Sequence, residues 1–166
     1  MVLFLIVLLA ACGDDGPDPA VLPEDFSVEY SWFEGSVAPP FHYEYDIEVR
    51  RDGSGTIRYR PDYGSTPEWV EAFSVSEGEL EALYTLMIDQ EIFDRTWRED
   101  PEPPVGGPVA RMDVTAAGEV TEVPTDPASG GSLLEPVYAA IEDLVPQAIW
   151  DDLEARRSRF MEEYES

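Results

Sequence analysis

His42 is the chain's one histidine and Cys12 its one cysteine, so acid–base or nucleophilic chemistry must be built on these two or on carboxylates. His42 falls in the alternating run Phe41 to Arg50, on the polar side with Glu44. A serine and a carboxylate from the Ser27, Glu29, Ser31 face could converge on it as a Ser-His-Asp set. No nucleophile elbow and no glycine-rich oxyanion turn accompanies it, and the expectation is an exposed strand histidine. Carboxylates number 36, and a pair of them can hydrolyse a glycoside. In such numbers some pairs reach a useful spacing by chance, and none stands out. Asp14, Asp15 and Asp18, and the turn Asp52-Gly53-Ser54-Gly55, resemble calcium loops only superficially, because the alternating ligands and the closing bidentate glutamate are missing. Gly106-Gly107 and Gly130-Gly131 lack the lysine and the strand-to-helix context of a phosphate loop. No catalytic residue, metal site or cofactor is assigned. A small carboxylate-dependent hydrolase with its site near His42 is the alternative to a non-catalytic protein.

Charge excludes other classes. Asp and Glu outnumber Arg by 36 to 10, there is no lysine, and the formal net charge is −26. Nucleic-acid binding requires clustered cations that release counterions, and this surface repels phosphate. A single cysteine rules out an intrachain disulfide, and the absence of lysine rules out Schiff-base chemistry. Weak, non-specific binding of divalent cations by the acidic surface is expected. The imbalance suits salty surroundings, while a high-GC genome would also replace lysine by arginine.

Recognition residues are sought among aromatics on irregular segments, since loops carry function and large rings make binding hot spots. Pro61 to Phe73 reads as loop-like and holds Tyr63, Trp69 and Phe73. Trp32, Phe33 and the Pro39-Pro40 segment join them as candidate partner-binding positions. The competing role for these rings is to fold back over the neighbouring hairpin and complete the core, which a small domain needs.

The elements that would position these groups follow from periodicity. Phe26, Val28, Tyr30 and Trp32 alternate with polar residues as in a half-buried strand, and so do Phe41, Tyr43, Tyr45, Ile47 and Val49. Arg51 to Gly55 supplies a turn, after which Ile57 and Tyr59 resume the apolar side. The expected register sets Arg50 against Thr56, Val49 against Ile57, Glu48 against Arg58 and Asp46 against Arg60. Ser76 and Glu79 form a capping box, with Val75 and Leu80 as its staple, ahead of the helical stripe Leu80, Leu83, Tyr84, Met87. Arg98 to Pro108 reads as an exposed loop. Ala110, Met112 and Val114, a turn at Ala117-Gly118, then Thr121 and Val123 make a second hairpin. Leu134, Val137, Tyr138, Ile141 and Leu144 form a second helix opening near Ser132 with Glu135. Pro146 starts a third, with Trp150, Leu153, Phe160, Met161 and Tyr164 on its apolar side. The sum is an α+β fold: an antiparallel sheet from a strand meander and a second hairpin, with about three helices on one face.

Val2 to Ala11 is unbroken apolar, too short to span a bilayer, and ends in Leu9-Ala10-Ala11-Cys12 before a Pro/Gly/Asp stretch. This segment resembles the lipobox of bacterial lipoproteins, although no Lys or Arg precedes it. The resemblance implies cleavage before Cys12 and diacylation of its sulfur, enough acyl chain for a stable anchor. It divides the chain into a signal peptide (1–11), a flexible acidic tether (12–24) and one domain (25–166). Gly13 after the cysteine implies the outer membrane where the cell has one. The layout of residues 41 to 145, with a hairpin carrying Asp52-Gly53, then S-x-x-E-L-x-x-L from Ser76, then a second hairpin and a closing helix, resembles small bacterial lipoprotein domains. It is also similar to emfourin-type metalloprotease inhibitors. The expectation is a lipid-anchored cell-envelope protein facing periplasm or exterior. It would be a non-catalytic module binding an unknown protein, with inhibition of an envelope protease as the form that the layout implies.

Overall fold

The computed structural model of the protein describes residues 21–39, 41–64 and 67–164. Cys12, the expected signal peptide (1–11) and most of the expected tether (12–24) lie outside them. The described chain is α+β. It runs β1 (Ser27–Phe33), β2 (Glu44–Arg50), β3 (Ser54–Arg60), β4 (Trp69–Ser74), α1 (Glu77–Asp89), β5 (Val109–Ala116), β6 (Glu119–Val123), α2 (Gly131–Asp143) and α3 (Gln147–Tyr164). The strands form one open antiparallel sheet in the order β4-β3-β2-β1-β5-β6. A four-strand meander therefore ends at one edge, and the chain returns through α1 to lay β5 beside β1.

One sheet face carries the core. Val28, Tyr30, Ile47, Val49, Ile57, Met112 and Val114 are all buried there, against Leu80, Leu83, Tyr84 and Met87 of α1, Val137 and Ile141 of α2 and Leu153 of α3. The other face keeps the alternating charges: Arg60 is held by Glu44 and Asp46 across the strands.

The β2–β3 register differs from expectation by two residues. Val49 faces Gly55, Ile47 faces Ile57, Asp46 faces Arg58 and Glu44 faces Arg60. The turn is shorter than Arg51 to Gly55. The Gly53 amide bonds the Arg50 carbonyl at 2.9 Å, Gly53 takes φ 80°, and the Asp52 carboxylate accepts from the Ser54 amide and hydroxyl. A tight turn closed by a left-handed glycine lets pairing begin at Gly55. A shift of two leaves every side chain on its expected face.

Strand β4 was unforeseen: Trp69 and Phe73 stand on a strand and not on a loop. Glu71 hides the alternation, because it shares a face with Trp69 and Phe73. Its charge is matched there by Arg156 of α3 at 2.7 Å. At α1 the Ser76–Glu79 capping box is complete. At α2 it is absent: the N-cap is Gly130 with φ 80° and no side-chain cap bond, and Ser132 already lies inside the first turn. Helix α3 buries Leu153 fully, but Phe160 and Met161 only in part, and Tyr164 is exposed. Leu22, which falls in the stretch expected to be a tether, is buried in the core. The Asp25 carboxylate accepts the Ala117 and Gly118 amides, clamping the left-handed β5–β6 turn.

Candidate functional site

Three connections converge at one end of the sheet. The β1–β2 connection leaves the ladder at Glu34, whose amide bonds the Tyr43 carbonyl at 3.0 Å. The segment between is held from two sides. The Tyr63 hydroxyl accepts from the Val37 amide and donates to the Val37 carbonyl at 2.6 Å, and Arg157 of α3 donates to the Phe41 carbonyl. The long segment before β5 packs so tightly against it that a Cβ on Gly35 would run into the Gly107 carbonyl. Gly106 and Gly107 both adopt positive φ, 85° and 90°, which only glycine takes without strain.

His42 lies at the base of this cluster, and the expectation of an exposed strand histidine is overturned. It precedes β2 and is 3% exposed. The Tyr63 ring covers it face to face, centroids 3.7 Å apart and planes 10° apart, while the outer face of Tyr63 stays in solvent. Among the described residues neither imidazole nitrogen has a hydrogen-bond partner. The nearest carboxylate, Glu44, stands 3.7 Å from Nε2, beyond hydrogen-bond reach. The convergence with Ser27 and Ser31 does not occur, because those serines lie within β1 opposite Arg50 and Asp46. A buried imidazole lacking partners costs about 1–3 kcal/mol, and such groups in native folds ask for an explanation.

Beside His42 is a cavity of about 300 Å³, walled by Phe33 at the end of β1, Glu34 and Ser36 from the first connection, Tyr63 from the second, Gly106 and Gly107 from the third, and Thr125 and Asp126 after β6. Its charged groups are carboxylates, and no arginine lines it. Of the candidate recognition residues, Phe33 and Tyr63 are brought together here. Phe73 is instead buried over Gly55.

Trp32 and Trp69 belong to a second feature. They end a ladder of directly opposed rings, Trp32, Tyr45, Tyr59 and Trp69, on β1 to β4. Successive centroids are 5.2, 6.3 and 5.7 Å apart and the planes lie within 13° of parallel. A groove of about 420 Å³ separates Tyr43, Tyr45 and Tyr59 from the α2–α3 corner. The Glu142 carboxylate there accepts from Tyr30 and Tyr45 through one oxygen, at 2.8 and 2.7 Å, and the Arg157 guanidinium sits 4.1 Å from the Tyr43 ring centre. Burial, reinforced by Glu142, pushes the Tyr30 and Tyr45 phenols far above their usual range.

Sequence reasoning found the rings but missed His42's burial, Glu34, Asp126 and Glu142. The dense Pro/Gly punctuation of the first and third connections was the available signal. Among the described residues no three His, Cys, Asp or Glu side chains are placed to hold a metal ion, and no helix is long and apolar enough to cross a membrane. The chain matches no protein-family model and no curated protein.

Proposed function

We propose that the chain is a lipid-anchored cell-envelope protein, held at the membrane by acylated Cys12, whose domain binds another protein without catalysing a reaction. The observation that carries the binding role is the cavity beside His42, built by three loop connections on a rigid sheet. Loops so presented are where recognition resides, and a ring exposed at a cavity mouth, as Tyr63 is at 54%, is a frequent energetic anchor. The lipobox-like Leu9-Ala10-Ala11-Cys12 supports the anchor. The layout similarity to metalloprotease inhibitors makes an envelope protease the partner of choice.

The test is affinity capture on the full chain, with Tyr63→Ala and, on the remote open sheet face, Arg58→Ala. Proteins retained by the parent and Arg58→Ala but lost by Tyr63→Ala support the reading, as does an acylated Cys12 in the mass of the native product. Retention indifferent to Tyr63, or an unmodified thiol, overturns the corresponding part.

The burial of His42 in a concavity favours a second reading, a small carboxylate-dependent hydrolase, because a general base needs a sheltered imidazole beside its substrate. Turnover of a hydrolase panel by the parent, abolished in His42→Ala with the fold intact, would replace the first reading by this one.

A further inference from the structure

We infer that the cavity beside His42 receives a basic side chain, arginine or lysine, presented by the partner protein. The inference rests on the binding reading above and specifies its chemistry.

A side chain 3% exposed with two unpartnered nitrogens faces this space. An unsatisfied buried polar group in a native fold calls for an explanation, and a bound partner is one that the adjoining cavity offers. A neutral imidazole offers one donor and one acceptor, so an occupant carrying polar hydrogen can satisfy the acceptor. Glu44, next to the imidazole, is already paired with Arg60, but Glu34 and Asp126 line the cavity with no arginine among the lining residues to balance them. An anionic occupant would meet these carboxylates uncompensated, whereas a guanidinium or ammonium would gain charge-assisted hydrogen bonds from them. Phe33 and the Tyr63 ring provide apolar wall for the aliphatic stem, as long cationic side chains prefer. The volume, about 300 Å³, lies at the lower end of ligand pockets and suits one side chain. A net charge of −26 draws a basic partner from a distance.

The single histidine makes the test specific, because its ring resonances are the only imidazole signals in the spectrum. The full chain is titrated with N-acetyl-arginine amide, N-acetyl-lysine amide, N-acetyl-leucine amide and N-acetyl-glutamate amide while the His42 resonances are followed. Saturable shifts with the two basic amides, about tenfold stronger than with the other two and lost in Glu34→Gln and Asp126→Asn, are expected. Equal shifts with the leucine amide, stronger shifts with the glutamate amide, or no shift with any probe overturn the inference. Both variants remove charge from partly exposed positions, and an unchanged amide spectrum certifies their fold. Capture is then repeated with Asp126→Asn. Loss of the partner supports the inference, and undiminished retention overturns it while leaving the binding reading standing. A parent chain that binds the arginine probe but retains no protein overturns the binding reading, and with it the partner as the source of the base.

Discussion

Glu142 shows how much one side chain can organise. A single carboxylate oxygen accepts two phenols from neighbouring strands, so α2 is tied to β1 and β2 by hydrogen bonds to a charged group, each worth about 1.5–3 kcal/mol. Tyr30 and Tyr45 hold their protons more tightly in the folded chain than free tyrosine does, first because burial disfavours the phenolate and then because Glu142 opposes a second negative charge. Burial does the same at Tyr59 and Tyr138. A pKa raised on folding stabilises the fold fully below the unfolded value, about 10 for tyrosine, and that contribution is lost as pH rises beyond it. Phenol absorbance from these four of the chain's eight tyrosines should therefore rise only above the ordinary tyrosine range, together with loss of near-ultraviolet circular dichroism. Tyr45→Phe should lower stability at neutral pH by about 1.5–3 kcal/mol and leave less to lose at alkaline pH. A smooth, single-step titration of all phenols with the fold intact would contradict this.

At the scale of elements, local chemistry decides where the ends fall. The capping box at α1 works because Ser76 stands just before the first turn, where its hydroxyl takes the Glu79 amide at 3.3 Å and Glu79 returns a bond to the Ser76 amide at 2.8 Å. Ser76→Ala should cost about 1 kcal/mol and lower the melting temperature by roughly 2–4 °C. The Ser76 hydrogen bonds also hold the Glu79 carboxyl below its usual range, so this contribution is present above the ordinary glutamate range and fades as pH falls through the depressed value. The same four-residue pattern at Ser132 caps nothing, because Gly130, in a left-handed conformation, has already started α2. This contrast marks what was legible in the sequence. Strand alternation and the α1 stripe revealed five of the six strands and all three helices, since burying one face imposes those periods. Strand β4 was not legible, because the inward Glu71 depends on Arg156, far along the chain. Nor was the cavity, whose walls come from Phe33, Tyr63, Gly107 and Asp126. Each is ordinary in its own segment, and only the sheet order brings them together.

The whole molecule carries far more acid than its own cations can answer. Among the described residues Arg50, Arg51, Arg58, Arg60, Arg95 and Arg156 stand in ion pairs with carboxylates. Exposed pairs contribute about 0–1 kcal/mol each, and even complete pairing of 10 arginines would leave 26 of the 36 acids unanswered. Repulsion among those acids opposes the compact state over distances beyond contact, while the attractive pairs act at short range and are screened less where partly buried, as at Arg60. Added salt should therefore relieve more repulsion than it removes attraction, and thermal stability should rise with NaCl. The shape of the rise identifies its cause. The screening length falls to about 10 Å at 0.1 M and about 3 Å at 1 M, so charge relief is steep in the first few tenths molar and then flattens. Adaptation of the folded surface to salt would instead keep the melting temperature climbing through molar NaCl. A melting temperature indifferent to NaCl over the whole range would mean that the acids are spaced widely enough for water alone to screen them. The arginine-for-lysine usage would then reflect coding bias and no salt requirement.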